Sequence, residues 1–135
     1  MSNLQLQFTI QNHLISLAIK LRIIDDIFIK NEEKYVLPYL FVGKLVEDQI
    51  QTELNFRNAC NKIVHSMNFS PKTEQITDIE GSREIYVFYT NKVDLRGQYG
   101  KYNWEAEIDI QKFLFCAFAL TRAYDENWKI SCRSD

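Results

Sequence analysis

Four glycines, two prolines and three cysteines are all that the 135 residues hold of the residue types that bend, break or staple a chain. So little glycine and proline excludes a collagen-like or linker-dominated polymer and predicts long regular elements. Cys60, Cys116 and Cys132 have no CxxC spacing, and with His13 and His65 they offer no structural zinc set, so no metal and no cofactor is expected. Cys60 and Cys116 fall in apolar periodic segments, where a reduced thiol packs as a small hydrophobe. A reducing, cytoplasmic compartment is therefore expected. Neither sign of charge is in excess: 16 Lys+Arg stand against 18 Asp+Glu, a net charge of −2. This excludes the basic field of a dedicated duplex-DNA binder and leaves any nucleic-acid contact to a local patch. The longest unbroken apolar run, Phe113 to Leu120, is far short of the ~20 residues of a membrane-spanning helix. Met1 to Gln7 has neither a basic region nor a small-residue cleavage site, so the chain is expected to be neither secreted nor membrane-spanning.

What is present is ordinary for a soluble globular protein, 46% hydrophobic and 25% charged residues. That composition excludes intrinsic disorder, and the length suits one domain, residues 1–135, around one core. From Asn3 to Lys30, Ile10, Leu14, Leu17, Leu21, Ile24 and Phe28 recur at alternating four and three, which predicts a long amphipathic helix. The stripe serves either the domain's own core or a dimer seam. His13 lies at its edge as a boundary residue. Asn31 to Lys34 end the pattern, Pro38 suits a first helical turn or a packed connector, and Gly43 is a break. A second helix is predicted from about Lys44 to Met67, with Val46, Ile50, Phe56, Cys60, Ile63, Val64 and Met67 on one side, closed by Pro71.

The period then changes from 3.6 to 2. Arg83 to Thr90 and Trp104 to Ile110 read as strands, with Ile76 to Glu80 as a third, and Asn91 to Lys101 as a hairpin loop with a mobile tip. A third helix carries Phe113, Cys116, Ala117, Leu120 and Tyr124, capped by Asp109. The expected fold is α+β: two long antiparallel helices and a C-terminal helix around one core, with a small antiparallel hairpin or three-stranded sheet inserted before the last helix.

Chemistry concentrates in Phe56 to Ser66. On a continuous helix Arg57, Asn61 and His65 are spaced four apart and share one ridge, with Asn58 beside His65. An imidazole and a guanidinium so placed suit metal-independent phosphodiester chemistry on RNA, the first moving a proton and the second holding the phosphate. The same spacing also fits a buried polar ladder in which Asn61 and His65 satisfy each other. Asp25 and Asp26 either oppose Arg57 or Lys62 across the bundle or are simply solvated. Lys92, Arg96 and Lys101, interleaved with Tyr99 and Tyr102, match single-stranded RNA as well as a solvated hairpin tip. Glu105, Glu107 and Asp109 line one strand face as a carboxylate cluster or as the wet side of a sheet.

The Arg57-Asn58-Ala-Cys-Asn61-Lys62-Ile-Val-His65 pattern resembles the Arg-to-His motif of HEPN domains (higher eukaryotes and prokaryotes nucleotide-binding). Leu95-Arg96-Gly97, Gly100-Lys101 and Trp104 through Phe113 are similar to small HEPN-like bacterial proteins with a β-hairpin between helices, so the resemblance covers roughly residues 44–125. It implies a homodimer in which Arg57 binds phosphate and His65 is the acid/base of each chain, with Asn58 and Asn61 positioning and Lys62 at the RNA. It also implies a ribonuclease or its degenerate relative in a toxin or anti-phage system, with an antitoxin or defence component as protein partner. The alternative expectation is a non-enzymatic interaction or regulatory module that uses the helix-two ridge and the hairpin as contact surfaces.

Overall fold

The computed structural model describes residues 3–77 and 85–133, with side chains over 4–75 and 87–127. The described residues form three helices and one five-stranded antiparallel sheet. The first helix, α1 (Asn3–Lys30), forms where the apolar stripe predicts it. Leu14, Ala18, Leu21, Asp25 and Phe28 are its buried positions, alternately four and three apart. It stops at Glu32, whose φ of 56° turns the backbone left-handed while the Glu33 N–H bonds to the Phe28 carbonyl at 2.9 Å.

The next segment corrects the sequence reading. Instead of one helix from Lys44 to Met67, the chain makes β1 (Gly43–Glu47), β2 (Ile50–Leu54) and a short helix, α2 (Phe56–Val64). Asp48 and Gln49 close the β1–β2 hairpin with φ of 49° and 63°, a turn usually signalled by Asn-Gly. Asp48 is common in such backbone but Gln49 is not, and Val46 and Ile50, four apart, imitate a helical spacing.

A meander follows, β3 (Asn68–Thr77), β4 (Ile85–Tyr99) and β5 (Tyr102–Asp109), and then α3 (Ile110–Arg133). The expected loop from Asn91 to Lys101 is therefore mostly strand: Lys92 to Tyr99 pair in unbroken register with Tyr102 to Asp109. Of the predicted strand from Ile76 to Glu80, Ile76 and Thr77 end β3 and the remainder lies outside the described residues, as do Arg83 and Glu84.

The strand order is β2-β1-β5-β4-β3, so the early hairpin joins the late meander along β1 and β5, Leu45 opposite Ala106. Phe69, Val93, Leu95, Trp104, Ala106 and Ile108 are buried on the face that the helices cover. Arg57 reaches Asp25 and Asp26 from the start of α2, and α1 packs on α2 more extensively than on α3. Ile10 and Ile110 line one cavity at one end of α1 and α3, while Asn127 bonds to Glu33 at 2.6 Å beyond the other. The two long helices, α1 and α3, thus run in the same direction, and the helix expected to lie antiparallel to α1 is replaced by β1, β2 and α2, so the expected two-helix bundle with a small inserted hairpin does not form. A five-stranded sheet supplies the surface on which the apolar stripes close. Among the described residues no helix is long and apolar enough to cross a membrane.

Candidate functional site

α2 begins at Asn55, whose side chain accepts from the Asn58 N–H at 2.8 Å, a cap that satisfies one of the open donors of the first turn. Phe56, Ala59, Cys60 and Ile63 are buried, and the Phe56 ring lies 5.2 Å from that of Phe113. Arg57 is thereby turned toward α1. Its guanidinium donates to Asp25 and, at 2.8 Å, to Asp26. The Tyr35 hydroxyl donates to the other oxygen of Asp25, and the Tyr35 ring meets Phe28 edge-on with centroids 4.9 Å apart. Asp25, the buried charged residue of the core, thus has both carboxylate oxygens occupied.

The electrostatics follow from this clamp. The bonds to Asp25 and then Asp26 hold the Arg57 guanidinium charged, raising its pKa. Burial, followed by the bond to Asp25, pushes the Tyr35 phenol well up. Burial pushes the Cys60 thiol up to about 12, with the Asp25 charge adding to it, so Cys60 packs as a hydrophobe and supplies no thiolate.

The predicted ridge is broken at its far end. α2 stops at Val64 and His65 is its C-cap, with φ −96° and ψ 8°, its N–H bonded to the Asn61 carbonyl at 3.1 Å and its side chain exposed. Asn58 is exposed as well. The Asn61 Oδ1 is buried without a hydrogen-bond partner among the described residues, so the polar ladder between Asn61 and His65 does not form either. Lys62 points away from this group: its Nζ bonds to Glu47 at 3.1 Å and lies 4.6 Å above the Trp104 ring.

The hairpin residues divide. Lys92 and Arg96 lie on the outer sheet face against Glu107 at 3.6 Å and Glu105 at 3.5 Å. Lys72 bridges Glu107 and Asp94, so cation and carboxylate alternate along an outer groove of about 240 Å³. Tyr99, Lys101 and Tyr102 are exposed at the turn. The three carboxylates of β5 also part: Asp109 caps α3 by accepting from the Lys112 N–H at 3.1 Å and takes a bond from Asn91 at 2.6 Å.

Sequence reasoning missed two features. Tyr35 carried no signal, standing at the head of the apolar connector Tyr35 to Val42. The second is the outer face of α3, where Leu114, Phe115 and Phe118 are 46%, 48% and 67% exposed. Phe115 stacks beside Tyr39 with centroids 6.4 Å apart, and the neighbouring Leu40 is open to solvent. Lys112 Nζ borders this patch 5.4 Å from the Tyr39 ring. The signal was the unbroken run Phe113 to Leu120, because a helix apolar on all sides has more than one face to cover. No family model, curated protein or solved structure matches this chain.

Proposed function

We propose that this protein is a non-enzymatic protein-interaction module whose contact surface is the outer face of α3. The observation that carries this reading is the exposed Leu114, Phe115 and Phe118 patch beside Tyr39 and Leu40. Phe115 and Phe118, three apart with Leu114 beside them, form a narrow apolar face of the kind that receives the apolar side of another helix, so the partner's docking element is an amphipathic helix.

The RNA-cleaving reading implied by the HEPN resemblance has less support. A phosphate approaching Arg57 must displace Asp25 or Asp26, and His65 sits beyond the helix that carries Arg57. A composite dimer site and an antitoxin partner are parts of that reading and share its weakness.

A photo-reactive phenylalanine analogue at position 118 tests the module. In cells it should give one discrete protein adduct that disappears when Phe115→Asp is added, while purified wild-type protein leaves single-stranded RNA intact in EDTA. Cleavage lost in both His65→Ala and Arg57→Ala, or no adduct at position 118, overturns the module reading.

A further inference from the structure

The two edges of the sheet are unlike. β3 carries Pro71, a register shift between Pro71 and Thr73, and Lys72, which together interrupt an edge and discourage another strand from joining it. β2 has none of these: Ile50-Gln51-Thr52-Glu53 is exposed throughout, and among the described residues it pairs on one side with β1 alone.

The phase of its free hydrogen-bonding groups follows from the turn. A two-residue hairpin loop closes on a hydrogen-bonded pair, here Glu47 and Ile50, and bonded pairs then alternate along the ladder. Ile50, Thr52 and Leu54 therefore turn their backbone groups toward β1, as the Leu54 carbonyl does in accepting from the Val42 N–H at 2.9 Å. Gln51 and Glu53 present N–H and C=O outward.

We infer that β2 pairs antiparallel with β2 of a second copy of this chain, about a two-fold axis through Thr52, joining two five-stranded sheets into one. In that register Gln51 of each copy meets Glu53 of the other as a hydrogen-bonded pair, which uses all four outward groups of each strand. Thr52 meets Thr52 as the close, non-hydrogen-bonded pair, and Ile50 meets Leu54 on the helix-covered side. No like charges oppose one another. Centring the axis on Glu53 instead sets two carboxylates face to face, and centring it on Gln51 leaves Glu53 opposite the turn residue Gln49, so the Thr52 register is the one that uses the whole edge. The surface is self-complementary, as a two-fold interface requires, and it lays the two outer grooves side by side on one continuous face. The pairing is independent of the α3 patch, so Phe118→Asp leaves it intact and the two proposals fail separately.

The test uses the full chain with Cys132→Ser, because Cys60 and Cys116 are buried. A non-hydrogen-bonded antiparallel pair sets its Cα atoms ~4.5 Å apart, within disulfide range. Thr52→Cys should therefore form a disulfide-linked dimer under mild oxidant. Gln51→Cys faces Glu53 of the other copy and should stay monomeric on a non-reducing gel. Gln51→Pro removes an outward N–H that β1 does not use. It should shift sedimentation of the otherwise unmodified protein to monomer, with cooperative melting kept but no longer dependent on protein concentration. If that variant fails to fold, Gln51→Glu, which opposes two carboxylates, should weaken dimerisation about tenfold. A wild-type monomer at tens of micromolar, a range typical of functional dimers at roughly micromolar Kd, overturns the inference. So does equal cross-linking of both cysteine variants.

Discussion

Gly97 and Trp104 stand directly opposite each other on β4 and β5, and the indole lies across the place where a side chain at 97 would be. A Cβ there would come within 2.2 Å of the ring. The ring in turn carries the Lys62 ammonium 4.6 Å above it, and Lys62 holds Glu47 of β1 at 3.1 Å. One missing side chain thus lets a tryptophan join β4 and β5 to α2 and β1.

Gly97→Ala is therefore expected to lower stability by about 2–3 kcal/mol, the cost of overpacking a closed core site. Thermal or urea unfolding measures it. A loss as small as that of an exposed strand substitution would show that the indole moves aside freely.

Removing Arg57 leaves the buried Asp25 carboxylate with Tyr35 as its remaining side-chain partner. Arg57→Ala should cost about 1–3 kcal/mol, because a buried acceptor loses a charged donor. Asp26→Ala, at an exposed carboxylate, should cost under about 0.5 kcal/mol. Urea midpoints of the two variants decide, and equal losses would place the clamp at Asp26 instead.

The outer face gives stability two pH limits. The hydrogen bond from Lys72 holds the Glu107 carboxyl below its ordinary value, and the same bond to Glu107 raises the Lys72 ammonium. The Glu107 contribution is present above its unfolded pKa and lost as pH falls through the lower folded value, below about pH 4. The Lys72 contribution is present below its unfolded pKa and lost as pH rises through the higher folded value, above about pH 10.5. Melting temperature against pH should fall at both ends, and Lys72→Met should flatten both falls.

Glu32 and Gln49 hold left-handed backbone, with φ of 56° and 63°, that glycine adopts without steric cost. Glu32→Gly and Gln49→Gly should each stabilise by about 0.5–1 kcal/mol, and their effects should add because the sites share no contact. Gly100→Ala, at φ +59° with open space around it, should lose a similar amount through the backbone alone. Chemical denaturation of the three variants and the double variant checks the set.

The α1 stripe and the Asp109 cap of α3 were legible because each is a local pattern that tertiary packing reinforces. The β1–β2 hairpin was not, because Gln49 enters left-handed backbone where such a turn usually has glycine. Asn91 to Lys101 looked like a loop because Gly97 and Gly100 interrupt it, yet Gly97 is there to admit Trp104 from the neighbouring strand. At the candidate site, opposition of Asp25 and Asp26 to Arg57 could be read from the sequence. The end of α2 before His65 could not, since the helical spacing continues through a residue whose backbone has already left the helix.

The join between β1 and β5 also governs how the molecule comes off the ribosome. β1, β2 and α2 are all synthesised before β3 begins, but β1 gains its second neighbour only when β5 emerges, after β3 and β4. A nascent chain paused before Trp104 holds the β1–β2 and β3–β4 hairpins unjoined, and the α1 stripe has no continuous sheet to rest on. That interval closes when the turn at Gly100, with φ +59°, lets β5 fold back along β4.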